Sequence, residues 1–352
     1  MKSVDPFDPV VPLAKRDPRF EAVRTHPQFA PARDCFRLYF GLAGDVDGNF
    51  IEQFQTTGFD ARTWEMYLFS TFYAASFHVT RAERPDLLLE RRRVEFALEA
   101  VTANPTANAP PIARPTNLAE LAHFMSSIVP MRYGGALSDK LKKKYWELPQ
   151  VKGKPFVLAI EPFYAEHALE YSDSALTDYL YGVRTSATVD AAGNVGNQTT
   201  RVESHQNGAK VIPSGFFRLP GAENVSAVLF SNSGTFSKFN RMGKQARPAE
   251  FPQVRIFRKG TCLDSDPRAS LPLSFDYEVG DGQVHETWCQ EMIVLHNPSA
   301  LRPLGLDVFD DFLQRELLPS GELRDTRGRD EDFHPISSKT VCLSPESARP
   351  AP

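Results

Sequence analysis

Two carboxylates and a set of lysines are the residues of this chain whose types and spacing can do chemistry. Residues 84–104 hold the acids. Asp86 opens the apolar run Leu87-Leu88-Leu89, the basic turn Arg91-Arg92-Arg93 follows, and Glu99 comes late in a second run, beyond Val94, Phe96 and Leu98. Two short apolar runs around a charged turn predict a β-hairpin, and an antiparallel hairpin sets residues equidistant from its turn side by side. Asp86 stands five residues before Arg91 and Glu99 six after Arg93, so their carboxylates are expected to meet. Acids paired on adjacent strands repel unless a proton or a cation lies between them, and their oxygens suit a hard divalent ion such as Mg²⁺. The same spacing also fits two rim carboxylates that are solvated or bonded to Arg84 or Arg93.

The surrounding elements must position these groups. Asp60 is placed to cap a helix over 61–76, whose Trp64, Leu68, Phe69, Phe72 and Tyr73 form a broad apolar face. Glu65 lies within that stripe and needs a partner there, with Arg62 in reach as the plain structural one. A strand over 77–81 leads into the hairpin. A Pro- and Asn-rich loop over 104–115 and a helix over 117–127 follow it. Leu137, Leu141, Tyr145 and Leu148 recur at helical spacing, which puts Lys140 and Lys144 on one flank behind a glycine-loosened entrance at Gly134-Gly135. Lys142 and Lys143 read as solvated. The nearly continuous apolar run over 154–160 reads as a strand buried on both faces.

With 352 residues, 41 % hydrophobic and 24 % charged, the chain has the composition of a soluble globular protein and can build a large core. No apolar run reaches the roughly 20 residues that span a bilayer, so no membrane role is expected. The first residues lack the apolar core of a secretory signal, and the four cysteines are scattered, so a reducing cytoplasm is the default. A net charge of −4 excludes a generally basic coat but allows local patches. One candidate is the segment 238–247, where Lys238, Arg241, Lys244 and Arg247 interleave with an aromatic residue; it fits a phosphate backbone or a solvated loop equally. The C-terminal half otherwise shows short β-prone pieces, a strong strand at 225–232, and further strands at 254–258, 273–279 and 291–296. A closing amphipathic helix is expected over 306–318. Neither a phosphate loop, a nucleophile elbow nor a dinucleotide fingerprint is present.

The order of these features resembles the PD-(D/E)XK nuclease superfamily over about residues 60–162: Glu65 on a first helix, Pro85-Asp86 at a strand start, Glu99 on the next strand, a lysine-bearing helix, then a buried strand. The expected fold is α/β, a mixed central sheet flanked by helices (restriction-endonuclease-like) with a β-rich C-terminal half. The organisation is an arm and lead-in helix over 1–59, a nuclease-like core over 60–183, a β-rich region over 184–324 extending or packing on that core, and a polar tail over 325–352. The resemblance implies metal-dependent phosphodiester hydrolysis in nucleic acid, DNA ahead of RNA, in a setting such as bacterial defence or repair. It implies Mg²⁺ (or Mn²⁺) held by Asp86, Glu99 and the backbone carbonyl of Ala100, with Glu65 acting through water or orienting the nucleophile. The position two after the second acid, usually lysine in the family, is Val101 here. Some members supply that lysine from the following helix, which implies Lys140 or Lys144. The alternative is a nuclease-fold protein that binds nucleic acid or a protein partner without cutting. A third reading is an assembly protein with solvated acids.

Overall fold

In the computed structural model, which describes residues 4–189, 195–264, 266, 269, 271–329 and 333–343, aromatic packing ties the N-terminal quarter to the rest of the chain. Helices α1 (Pro18–Thr25), α2 (Ala30–Ala43), α3 (Phe50–Phe54) and α4 (Phe59–Ala74) succeed one another. Phe7, Phe20, Phe36 and Phe54 are all buried, and Phe36 stacks on Phe54 with ring centroids 4.8 Å apart. The expected loose arm is therefore part of the core, because its phenylalanines are too apolar to leave in water. Asp60 does not cap α4. The helix starts two residues earlier, after Gly58, and the Asp60 carboxylate instead accepts two bonds from Arg19 at 2.7 and 2.8 Å.

Strands β1 (His78–Arg81), β2 (Leu87–Arg91) and β3 (Val94–Ala103) form an antiparallel meander. The turn from β2 to β3 is Arg92-Arg93, both at positive φ (52° and 66°), the left-handed pair that matches the twist of the flanking strands. Helix α5 (Leu118–His123) is capped by the Asn117 side chain and runs through a π turn into α6 (Val129–Leu141), which starts well before the expected entrance. Gly134 therefore lies inside α6. A Cβ there would come within 3.0 Å of the Tyr179 ring on α7 (Ser174–Tyr181), so the glycine permits that close approach. Between them, β4 (Phe156–Pro162) pairs in parallel with β3 and is buried along its whole length, as expected. Its residues alternate between two clusters: Val157 and Ala159 face α2 and α4, while Phe156, Leu158 and Ile160 face α6 and α7.

The later chain extends this sheet and adds three smaller ones. Two antiparallel ribbons, β5 (Val183–Val189) with β6 (Val195–Arg201) and β7 (Ser204–Asn207) with β8 (Lys210–Pro213), precede β9 (Ala227–Ser231), which joins β4 in parallel. After α8 (Phe236–Ala246), β10 (Arg255–Cys262) and β11 (Leu273–Glu278), the chain adds β12 (Met292–His296), β13 (Leu313–Leu317) and β14 (Leu323–Thr326). The eight-stranded order is β1-β2-β3-β4-β9-β12-β13-β14, with parallel and antiparallel neighbours mixed and helices on both faces. The segment 306–318 is not the expected helix. Leu306–Phe309 makes one 3₁₀ turn and β13 follows, since apolar residues three and four apart fit a turn plus a strand as readily as a helix. Nor does the chain simply trail off beyond 325: β15 (Pro335–Leu343) pairs with β10 in a three-stranded sheet, order β11-β10-β15. Among the described residues no helix is long and apolar enough to cross a membrane.

The basic segment 238–247 is a helix, not a phosphate-facing loop. Phe236 and Phe239 of α8 enter the core, and Lys238, Arg241 and Lys244 are buried as well. Lys238 Nζ meets Glu286 at 2.7 Å, while Arg241 meets Glu286 at 2.9 Å and Glu291 at 3.1 Å. Arg258 on β10 pairs with Glu291 too. Lys244 donates to the carbonyls of Pro248 and Phe251, and half-buried Arg247 pairs with Glu250 at 3.0 Å. These side chains leave no basic face for a nucleic acid. Burial pushes the Glu286 carboxyl up, but Arg241, Lys238 and Arg258 outweigh it and hold it well below the usual carboxylate range. Glu286→Ala would leave three buried cations around Glu291 alone. It is expected to cost about 3–5 kcal/mol in chemical denaturation, whereas a change under about 1 kcal/mol would contradict this account of the cluster.

Candidate functional site

Strand alternation decides where Glu99 points. Ala97 and Val101, two residues either side of it, join the cluster under α6, whereas Phe96 and Leu98 face α4. Glu99 is thereby buried toward α6, and its Oε1 receives two bonds, from Lys140 Nζ at 2.5 Å and from the Tyr145 hydroxyl at 2.6 Å. Leu87 pairs with Leu98, so one step further from the turn brings Asp86 beside Glu99, as the hairpin spacing predicts. Asp86 Oδ2 accepts the Ala100 backbone N–H at 2.7 Å. Glu65, Asp86, Ala100, Lys140 and Lys143 line one cavity of about 330 Å³, with Trp64 on its wall.

The charges in this cavity are unevenly matched. Burial pushes the Asp86 carboxyl well above its ordinary range, and the neighbouring Glu99 and Glu65 push it further. The Ala100 N–H and Lys140 oppose the shift without cancelling it. Burial also raises Glu65, although Arg62 at 2.7 Å and Arg81 at 3.5 Å both pair with it. Glu65 therefore has its structural partner and still lines the cavity. Tyr145 is raised by burial and by its bond to Glu99, so it stays a hydroxyl donor.

The lysine positions separate cleanly. Lys140 reaches the acids from the last turn of α6, as one of the two expected replacements for Val101. Lys144 does not. The helix has ended by then, Lys144 sits at φ 50°, and its exposed ammonium lies 3.5 Å from Glu147. Lys143, expected to be merely solvated, lines the cavity 5.9 Å from the Tyr145 ring centroid. Tyr145 itself carries no signal in the sequence, since it reaches Glu99 from the 3₁₀ turn after α6 rather than along a helical row.

The donor set bears on a metal directly. Among the described residues, no three His, Cys, Asp or Glu side chains gather as a ready cage. Asp86 uses Oδ2 and Glu99 uses Oε1 for protein bonds, which leaves Asp86 Oδ1 and Glu99 Oε2, with the nearby Ala100 carbonyl, as oxygen donors. Mg²⁺ is commonly bound through one or two carboxylates, its remaining positions taken by water and a substrate phosphate, so the residues present fit that ion. Comparison with protein-family models, with curated proteins and with solved structures yields no match to this chain.

Behind the site, β4 carries a buried acid that sequence reading passes over. Glu161 Oε1 accepts the Gly234 N–H at 2.6 Å and Oε2 has no partner; a Cβ on Gly234 would strike both Glu161 and Trp64. Burial, with small additions from Asp60 and Glu291, raises this carboxyl well above its ordinary range, so the folded protein keeps it protonated. The associated stability is complete below the unfolded value near 4.5 and is lost as pH rises through the folded one, at about 1.4 kcal/mol per pH unit in between. Glu161→Gln is expected to melt higher than wild type at pH 8 and to match it near pH 4. An equal or lower Tm at pH 8 would contradict a protonated Glu161.

Proposed function

We propose that this chain is a Mg²⁺- or Mn²⁺-dependent nuclease with a PD-(D/E)XK-type, restriction-endonuclease-like core, hydrolysing phosphodiester bonds in DNA, with the usual lysine replaced by Lys140. The observation that carries the reading is the 2.5 Å contact of buried Glu99 with Lys140, a lysine that lines the same cavity as Asp86. An acid from a strand start and an ammonium from the following helix share that cavity, and the ammonium is bonded to an acid of the next strand.

A bound Mg²⁺ would supply Lewis-acid charge to a phosphate oxygen and lower the pKa of a water. The residues that would hold it are Asp86, Glu99 and the Ala100 carbonyl. Tyr145 and Lys140 fix Glu99 by its Oε1 and leave its other oxygen unused by either. Lys140 places a positive charge where a phosphate entering the cavity would build negative charge, and such a fixed charge acts most strongly in a site screened from water. Glu65, held by Arg62 and Arg81 and lining the same cavity, would act through water or orient the nucleophile. A second reading, a nuclease-fold binding protein, draws on one feature: Lys140 is already neutralised by Glu99.

The test is incubation of plasmid and single-stranded DNA with purified protein in Mg²⁺ or Mn²⁺. Wild type is expected to cleave, Asp86→Ala to fall to background, and Lys140→Ala to lose about 100- to 1000-fold. Identical behaviour of wild type and Asp86→Ala on every substrate would end the catalytic reading.

A further inference from the structure

A much larger cavity lies beside the one that holds Asp86. This second space, about 1080 Å³, abuts the first along three elements. On α4, Asp60 lines the large cavity and Ala61 the small one. Past β3, Asn104 lines the small one and Pro105 the large one. On α6, Arg132, Ala136 and Lys140 lie four residues apart on one helical row, with Arg132 in the large cavity and the other two in the small one. Eight residues of helix put Arg132 about 12 Å from Lys140 along the row. The large space is thus a groove that ends beside the small cavity lined by Asp86 and Glu65.

Its lining indicates what it accepts. Of its arginines, Arg19 is matched by Asp60 and Arg114 by Glu170. Arg132 has no carboxylate partner among the described residues and bonds only Thr106 Oγ1, so its guanidinium is available to an anion. Half-buried Phe163 and the exposed Pro110-Pro111 pair give apolar walls, with the buried rings of Phe59 and Tyr164 behind them. His167 is 96 % enclosed, its ring lies 5.6 Å from Phe124 and 5.8 Å from Tyr171, and its Nε2 has no partner. Burial keeps that imidazole neutral. A buried ring nitrogen on a cavity wall awaits a polar group that the protein does not supply.

We infer that this groove holds a single, unpaired nucleic-acid strand running away from the acids, with Arg132 on a backbone phosphate and His167 Nε2 on a base edge. The inference rests on the nuclease reading and deepens it. A duplex hides its base faces in its own stack and offers phosphates and groove edges alone. Flat aromatic and proline walls with one free guanidinium serve a strand whose bases are splayed out.

The test uses fluorescence anisotropy with a labelled single-stranded 12-mer and the same sequence closed as a hairpin duplex, in EDTA and again with Ca²⁺. Wild type is expected to bind the single strand at least about tenfold more tightly than the duplex. Arg132→Ala is expected to weaken that binding about tenfold and to flatten its salt dependence by one phosphate contact. His167→Phe, which keeps the ring and removes the nitrogen, is expected to weaken binding about threefold or more with the salt dependence unchanged. Equal affinity for duplex, no binding of the single strand, or unaltered binding by Arg132→Ala would each overturn the inference. Cleavage is read separately. Activity that persists with Arg132→Ala binding like wild type sinks the groove alone, whereas Arg132-dependent binding without any cleavage sinks the nuclease alone.

Discussion

Crowding of carboxylates at the end of one hairpin is the constraint on which the site depends. Asp86 and Glu99 are held together by strand register and the Ala100 N–H, not by choice of partner, and Glu65 adds a third negative group. Lys140 and Tyr145 relieve this from one side only, because both bind the same oxygen of Glu99. Asp86 is left as the unrelieved member, which is why its proton is held so tightly. On the proposed reading, that carboxylate is where a metal ion would take the place of the proton.

The rest of the fold serves this arrangement by rigidity. β4 is buried on both faces beside β3, and Trp64 of α4 donates to the Ala159 carbonyl at 3.1 Å, so the helix bearing Glu65 is tied to the strand next to Glu99's. The second charged cluster, around Glu286 and Glu291, is of another kind. Its carboxylates are more than matched by Lys238, Arg241 and Arg258, and it joins α8 to the small sheet of β10, β11 and β15. Matched charge there is structural; unmatched charge at Asp86 is where a ligand would change the balance.

Much of the core was legible in the sequence because its signals are local. Arg92-Arg93 and the flanking apolar runs specify the hairpin, and the continuous run 156–160 specifies a doubly buried strand. What escaped the sequence depends on distant partners. Nothing near Lys238 announces that Glu286 lies forty-eight residues on, so a buried helix face reads as a basic patch. Lys144 and Lys140 share a row only if the helix continues, but it stops at Leu141 and Lys144 lies beyond it in a left-handed conformation. Tyr145 and Arg132 gain their significance from the walls opposite them, which no spacing encodes.

The account turns on whether a cation seats between the hairpin acids. The direct measurement is a crystal soaked in Mn²⁺ and examined by anomalous scattering. The account predicts one strong peak bonded at about 2.1 Å to Asp86 and Glu99, with the Lys140 ammonium alongside. Mn²⁺ bound elsewhere, or nowhere, in crystals soaked well above the concentration used for cleavage would contradict it.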